Sequence, residues 1–154
     1  MEMPKPVDAY RNLEKLTGLW VGHEKMYPSP WDPNGGIATG HSDCRPALDG
    51  FAVVLDYKQE RDGVVNFRGH GVFVYNQYEE VYLLHWFDFM GTPPNIFSGQ
   101  FDGDLFALTQ KNPIGYSRLV YDFSHPKELR SRMDMSQDNV TWSPLMEGVY
   151  QWKG

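Results

Sequence analysis

Two ionisable side chains within apolar, strand-like runs could carry acid–base chemistry. His85 lies in the run Val81–Phe89, where strict alternation puts it on the same face as Phe87, and Glu24 shares the parity of Trp20. A histidine titrates near neutral pH, and an inward carboxylate is costly unless it is hydrogen-bonded, so both suit a general acid or base. We take His85 and Glu24 as the candidate catalytic residues. The structural alternatives are a core histidine bonded to a neighbouring tyrosine or backbone group, and a glutamate paired with an arginine at a rim.

Aromatic and methionine side chains form a second candidate set, in a chain with 9 Phe, 9 Tyr, 5 Trp and 7 Met. Tyrosine hydroxyls can orient a ligand, and aromatic rings and thioethers can pack around it, although the same residues could simply fill a core. Gly69 and Gly71 share one strand face, which either leaves room for a ligand or bends the strand. The predicted ligand-binding residues are Trp20, Tyr57, Phe87, Tyr121, Met133, Met135, Met146 and Tyr150.

Other polar residues give weaker signals. His23, His41 and His70 share what parity predicts to be outer faces, but their spacing matches no ligand motif, so neither a metal site nor a cofactor is expected. The lone Cys44 cannot form an internal disulfide and is expected to be a packed residue. Because a bulge can shift strand parity by one residue, the facing of Asp56, His70, Asp88 and Glu147 stays open.

The elements that position these residues are one helix and a series of strands. Apolar residues at helical spacing predict a helix over Val7–Thr17, ending at Gly18. From there the pattern is period two, broken by dipeptides such as Asp62-Gly63 and Asp102-Gly103. The predicted strands are Leu19–Met26, Ile37–Arg45, Phe51–Glu60, Val65–Tyr75, Val81–Phe89, Ile96–Phe101, Asp104–Gln110, Tyr116–Ser124, Glu128–Ser136 and Trp142–Trp152. About ten short strands in sequence order favour an all-β, antiparallel up-and-down barrel, with a sandwich as the alternative.

Composition limits the function classes. The chain has 154 residues, the size of one domain, so we expect a single domain over residues 1–154, with the barrel over about residues 18–152. A net charge of −6 argues against nucleic acid as a partner. No apolar run is long enough for a membrane helix or a signal-peptide core, so a cytoplasmic protein without a membrane partner is expected.

Several motifs resemble known families. Gly18-Leu-Trp20-Val-Gly22 after a short helix is similar to the opening of lipocalin-like (calycin) barrels. From Gly18 to Tyr150 the chain resembles an uncharacterised bacterial family, domain-of-unknown-function family fifteen-seventy-nine. The motifs that carry this second resemblance are Pro28–Pro33, Gly69–Phe73, His85–Asp88, Gly91–Pro94, Met135–Asp138 and Met146–Tyr150.

The resemblance implies a ten-stranded barrel related to nitrobindins and fatty-acid-binding proteins. Nitrobindins imply haem held by a histidine on a late strand. The last predicted strand of this chain, Trp142–Trp152, contains no histidine, so haem is not expected.

Three functions remain open from the sequence. The first is binding of a small, largely apolar or aromatic molecule in the barrel cavity. The second is an enzyme that uses the same pocket for isomerisation, cyclisation or hydrolysis, with His85 as general acid or base. The third is an interaction module, in which Trp31 of the Pro-rich loop contacts a partner or a second copy in a homodimer. In the first two cases Trp31 and Thr92–Pro94 would form the mouth of the cavity.

Overall fold

The computed structural model describes residues 1–91 and 93–154, and within them ten antiparallel strands close into one barrel. Each strand pairs with its neighbours in sequence, and the last strand pairs with the first, Trp152 lying opposite Trp20. The strands are β1 Gly18–Met26, β2 Gly36–Ala47, β3 Ala52–Arg61, β4 Val64–Asn76, β5 Val81–Asp88, β6 Asn95–Asp102, β7 Leu105–Asn112, β8 Gly115–His125, β9 Glu128–Ser136 and β10 Ser143–Trp152. The predicted lipocalin-like barrel is thereby confirmed.

Tight turns fix the strand boundaries. Asp62 and Gly63 both have positive φ, of 51° and 76°, the backbone conformation that a two-residue hairpin turn between twisted strands needs. Asp and Gly tolerate this conformation better than most residues do. The hairpin therefore joins β3 to β4 where the sequence predicts it, and the predicted strand ends agree with the observed ones to within two residues.

A 3-10 helix over Asp8–Leu16 covers one end of the barrel. Its buried side chains are Tyr10, Leu13 and Leu16, and the Tyr10 hydroxyl donates a hydrogen bond of 2.9 Å to the carbonyl oxygen of Tyr75 in β4. The helix agrees with the predicted segment, and its apolar face closes this end of the barrel. None of the helices in the described part of the chain has the length and apolar character needed to span a bilayer.

Side chains fill the interior next to this helix. Trp20 is 5% exposed, and its indole nitrogen donates a 2.9 Å hydrogen bond to the Leu16 carbonyl oxygen. Phe73 and Phe106 are fully buried, with ring centroids 6.2 Å apart. This end of the lumen therefore holds a packed core, and the predicted cavity does not extend to it.

Candidate functional site

A buried carboxylate lies inside the barrel, away from the helix. Glu24 on β1 is 1% exposed. The Tyr57 hydroxyl lies 2.8 and 2.7 Å from its two oxygens, and the Gln59 amide nitrogen lies 3.0 Å from Oε1. The Tyr150 hydroxyl donates to Oε2. We call these four side chains the Glu24 cluster. The inward placement of Glu24 follows the sequence prediction, and the structure adds its partners.

Both tyrosines of the cluster are held in the neutral form. Burial, and then the negative charge of nearby Glu24, raises the pKa of Tyr57 and of Tyr150 well above the ordinary value. A neutral phenol has one hydroxyl proton to donate, and in both residues that proton points to the Glu24 carboxylate. The cluster is therefore an acceptor surrounded by neutral donors.

Two glycines create the space for the cluster. A β-carbon at Gly40 on β2 would lie 2.5 Å from Glu24 Oε2 and 2.9 Å from the Tyr150 ring. A β-carbon at Gly148 on β10 would collide with the Tyr150 phenol. These two positions lie opposite Gly22 and Glu24 on the neighbouring strand β1. The close approach of backbone to side chain explains why both positions are glycine.

No positive side chain offsets the Glu24 carboxylate. Among the described residues, none of the ion pairs includes Glu24. Its chain neighbours His23 and Lys25 are exposed on the outer face of β1. A buried carboxylate is usually paired with a cation or held by several hydrogen bonds, and here only the second kind of partner is present.

The interior beyond the cluster is partly open to solvent and rich in aromatic rings. Tyr57 on β3 and Trp86 on β5 pack against the core, and Phe67 on β4 lies opposite the inward-pointing Gln59, but all three rings are only half-buried. Their ring centroids lie 6.1 to 6.5 Å apart, near the outer limit of about 7 Å for aromatic contacts. Phe67 and Trp86 are nearly parallel, at 6°. We call these three residues the aromatic mouth.

Half-buried methionines line the remaining side of this open end. Met146 lies opposite Met133, and Met135 lies opposite Ser117 on the inner face of β8. The Gln59 amide nitrogen lies 3.5 Å from the sulfur of Met26 and 4.0 Å from that of Met146. Thioether side chains are flexible, so they can adapt to a ligand that enters between them and the aromatic mouth.

The Pro-rich loop between β1 and β2 is tied to this end of the barrel. Arg61, at the end of β3, contacts Asp32 in the loop at 2.7 Å. Trp31, beside Asp32, is 65% exposed, and its role as a partner or homodimer contact stays a prediction. Thr92, predicted to form part of the mouth, lies outside the described residues.

Two predicted site residues lie outside the barrel. His85 and Phe87 share the outer face of β5, whereas Tyr82, Leu84 and Trp86 point inward. Phe87 is 44% exposed and lies beside the His70 ring at 6.4 Å between centroids. The prediction that His85 and Phe87 face the cavity is wrong, because β5 is apolar on both faces and alternation therefore could not distinguish them. Neither side chain reaches the Glu24 cluster.

The other predicted ligand-binding residues point inward, at two different depths. Trp20 and Tyr121 belong to the core packed near the helix. Burial, and then Cys44, raises the pKa of Tyr121. Tyr57 and Tyr150 belong to the Glu24 cluster, while the methionines lie nearer the open end. Tyr57 and Tyr150 thus contact Glu24, whereas Trp20 and Tyr121 pack in the same continuous core without a hydrogen bond to Glu24 among the described residues.

The site also contains residues that the sequence analysis did not predict, and one predicted space, at Gly69, is filled. A β-carbon at Gly69 would collide with the Trp86 indole, so the space at this glycine is already occupied by a ring from the next strand. Gln59, Phe67 and Trp86 were not predicted as site residues. Gln59 lies two residues after Tyr57, so the sequence could have predicted that both side chains point inward. The contact of Gln59 with Glu24, however, depends on the register of β1, β2 and β3.

The acidic residues whose facing the sequence left open lie on the outer face or at the rim of the barrel. Asp56 accepts hydrogen bonds from Arg45 at 2.8 Å and contacts His70 at 2.7 Å, and these two partners, His70 first, lower the pKa of its carboxyl. Glu147 contacts Arg132 at 3.4 Å on the outer face. Asp88 accepts a 3.1 Å hydrogen bond from the Trp86 indole at the rim. These are surface and rim interactions.

The remaining candidates do not form a site inside the barrel. Cys44 is buried, and burial, followed by the charge of Asp43, raises its pKa to about 12. Among the described residues, no three His, Cys, Asp or Glu side chains are placed to hold a metal ion. Two grooves, of about 470 and 360 Å³, lie at the barrel surface; Lys25 and Ile37 line the first, and His41 and Lys58 line the second.

Comparison with known proteins gives a family and a fold. The family described as "Protein of unknown function (DUF1579)" matches residues 5–152. A search of curated proteins found no match. Rv2717c from M. tuberculosis is similar in structure, with a TM-score of 0.73 and 13% identity over 97% of this chain and 100% of that chain. The S-type phycobiliprotein lyase CPES from Guillardia theta is similar with a TM-score of 0.58 and 12% identity, over 94% and 92% of the two chains. At these identities the two structures support the fold alone.

Proposed function

The chain belongs to the DUF1579 family of proteins of unknown function, so we propose a function from the geometry of its barrel: it binds a small, largely apolar or aromatic molecule at the open end, above the Glu24 cluster. One observation carries the proposal. Glu24 is 1% exposed, yet its partner Tyr57 is one of three inward-pointing rings, in contact with each other, that are only half-buried. Apolar walls with a few convergent polar groups are typical of small-molecule sites.

The difference between the two barrel ends supports this location. Beside the helix, inward side chains such as Phe73 and Phe106 are fully buried. At the other end, Tyr57, Phe67 and Trp86 point inward but keep part of their surface in contact with solvent. Leaving large aromatic surface unburied forgoes about 25 cal/mol for each Å². A ligand that covers these rings would recover that free energy.

The geometry does not support the enzyme hypothesis with His85 as the base. His85 is on the outer face of β5, so it cannot act on a molecule bound within the aromatic mouth. The similarity to a phycobiliprotein lyase, at 12% identity, does not carry a reaction over to this chain. Binding without an assigned reaction is therefore the function that the geometry supports best.

A neutral fluorescent probe tests the proposal. Prodan, a planar naphthalene without charge, is expected to bind the purified protein with a blue shift of its emission. Trp86→Leu removes one ring of the aromatic mouth and is expected to weaken binding about ten-fold, since stacking and burial of a large ring together contribute roughly 1.5 kcal/mol. Phe87→Leu is the matched control, because Phe87 is the next residue along β5 and faces outward.

Native mass spectrometry of the purified protein provides a second measurement. A non-covalent mass that disappears on denaturation would support the proposal and give the mass of the ligand. Equal weakening of Prodan binding by Trp86→Leu and Phe87→Leu would contradict the proposed location. Absence of both Prodan binding and added mass would contradict ligand binding itself. Circular dichroism of both variants confirms that each is folded.

A further inference from the structure

The two Glu24 oxygens have two hydrogen-bond contacts each, but Tyr57 takes part in one contact at each oxygen. A carboxylate offers about four lone-pair sites. Tyr57 lies near both oxygens but has a single hydroxyl proton, and Gln59 and Tyr150 each supply one further hydrogen. Three hydrogens therefore serve four acceptor sites. The single Tyr57 hydrogen is therefore divided between Oε1 and Oε2 of a side chain that is 1% exposed, so a further donor would strengthen the hydrogen bonding of this carboxylate.

The Glu24 cluster also lacks a positively charged side chain among the described residues. All three donors to Glu24 are neutral groups, and the nearest cations in sequence, His23 and Lys25, point away from it on the outer face. At the rim, Arg61 is already paired with Asp32. A buried carboxyl group without a cation favours a positive partner strongly, because the interior screens charge weakly.

Adaptable methionine side chains lie beside the Glu24 cluster. Met26 and Met146 lie beside the Gln59 amide, at 3.5 and 4.0 Å from its nitrogen. Both methionines are half-buried. Rotation of their flexible chains would open a path between the aromatic mouth and Glu24 without breaking the barrel.

We infer that the ligand has a planar apolar body, which lies against Tyr57, Phe67 and Trp86, and a cationic N–H group, which donates to Glu24. This inference rests on the proposed function. An amidinium, an ammonium or a protonated ring nitrogen has the required chemistry, because each combines positive charge with a hydrogen directed along a nitrogen bond. Charge-assisted hydrogen bonds of this type are about twice as strong as neutral ones. A ligand with a carboxylate at the same position is excluded by repulsion from Glu24.

Three probes of nearly equal size separate this inference from the proposed function. They are 2-naphthamidine, 2-naphthamide and 2-naphthoate, which place a cationic, a neutral and an anionic group on one naphthalene body. We expect naphthamidine to bind at least ten-fold more tightly than naphthoate by isothermal titration calorimetry. In Glu24→Gln the preference for the cation is expected to disappear, while naphthamide binding is retained. Glu147→Gln, which removes an outer-face carboxylate paired with Arg132, is the control and should leave the preference unchanged.

The outcomes are distinguishable. If none of the three probes binds and Prodan does not bind either, the proposed function fails. If the probes bind with equal affinity, or naphthoate binds best, ligand binding stands and the inferred ligand class is wrong. The comparison of the three probes in the unmodified protein needs no variant, so it remains decisive if Glu24→Gln does not fold. Tyr57→Phe keeps the carboxylate and removes one donor, and loss of the cation preference in this variant would also contradict the inference.

Discussion

Gly40 shows how closely the barrel is built around its buried carboxylate. An added β-carbon would lie 2.5 Å from Glu24 Oε2, and the Glu24 side chain is fixed by three donors. We therefore expect Gly40→Ala to lower the free energy of unfolding by about 1–3 kcal/mol through overpacking. Urea denaturation followed by tryptophan fluorescence measures this change.

Gly71→Ala is the matched control for that substitution. Gly71 is also a glycine inside a strand, but the nearest atom to its added β-carbon is the terminal methyl group of Leu84, at 3.0 Å. A methyl group at the end of a flexible side chain moves more easily than a hydrogen-bonded carboxylate does, so the loss of stability should be smaller. A loss at Gly71 equal to that at Gly40 would contradict the constraint assigned to Glu24.

At the same scale, the sequence predicted which residue is buried but not what binds it. The parity of Glu24 with Trp20 placed the carboxylate inside, and this is confirmed. Its partners Tyr57, Gln59 and Tyr150 come from strands up to 126 positions away along the chain. Which inward residues meet across strands depends on register, and a single sequence does not specify register for strands that are far apart.

At the scale of elements, the N-terminal helix contributes to stability by packing against the barrel. Leu13 is 1% exposed between the helix and the strands. We expect Leu13→Ala to reduce the free energy of unfolding by about 2–5 kcal/mol, the usual cost of a buried leucine cavity. Leu19→Ala, on the outer face of β1 at 47% exposure, is the control and should change stability by about 0.5 kcal/mol or less. Similar losses in the two variants would mean that the helix is not an integral part of the fold. Thermal and urea unfolding both report the difference.

Strand β5 explains the main error of the sequence interpretation. Tight turns and Asp-Gly dipeptides located the strands to within two residues, because turn chemistry is local. In most strands polar residues alternate with apolar ones, which identifies the inner face. In β5 the inward residues Tyr82, Leu84 and Trp86 alternate with Val81, Leu83 and Phe87, so both faces look like a core. His85 was then placed with the wrong set.

At the scale of the whole molecule, several acidic groups are held neutral in the fold. Burial, and then Asp43, raises the pKa of Cys44 from 9.0 to about 12, and burial also raises the pKa of Tyr57, Tyr121 and Tyr150. Each group ionises at lower pH in the unfolded chain than in the native one. Their contribution to stability is therefore complete below about pH 9 and is lost as the pH rises towards 12.

Because these pKa values are higher in the folded than in the unfolded chain, the protein should lose stability at alkaline pH. The free energy of unfolding should fall between pH 9 and pH 11, by up to about 1.4 kcal/mol per pH unit for each such group. Cys44→Ala should make the decline shallower, whereas Tyr78→Phe, at a fully exposed tyrosine, should not alter it. Urea unfolding at pH 8, 9, 10 and 11 measures the slope. An unchanged slope in Cys44→Ala would show that the thiol does not contribute.

Closure of the barrel by the β1–β10 pair has a consequence for how copies of the chain can associate. Each of the ten described strands is hydrogen-bonded on both sides, whereas an open sheet presents edge strands that can template aggregation. Along these paired stretches a second molecule therefore cannot join the sheet as an additional strand. Fibre growth by strand addition would first require the barrel to open between two neighbouring strands. The β5–β6 and β6–β7 seams have five residue pairs each, against seven at β1–β10, so resistance to amyloid formation should depend on these two shorter seams.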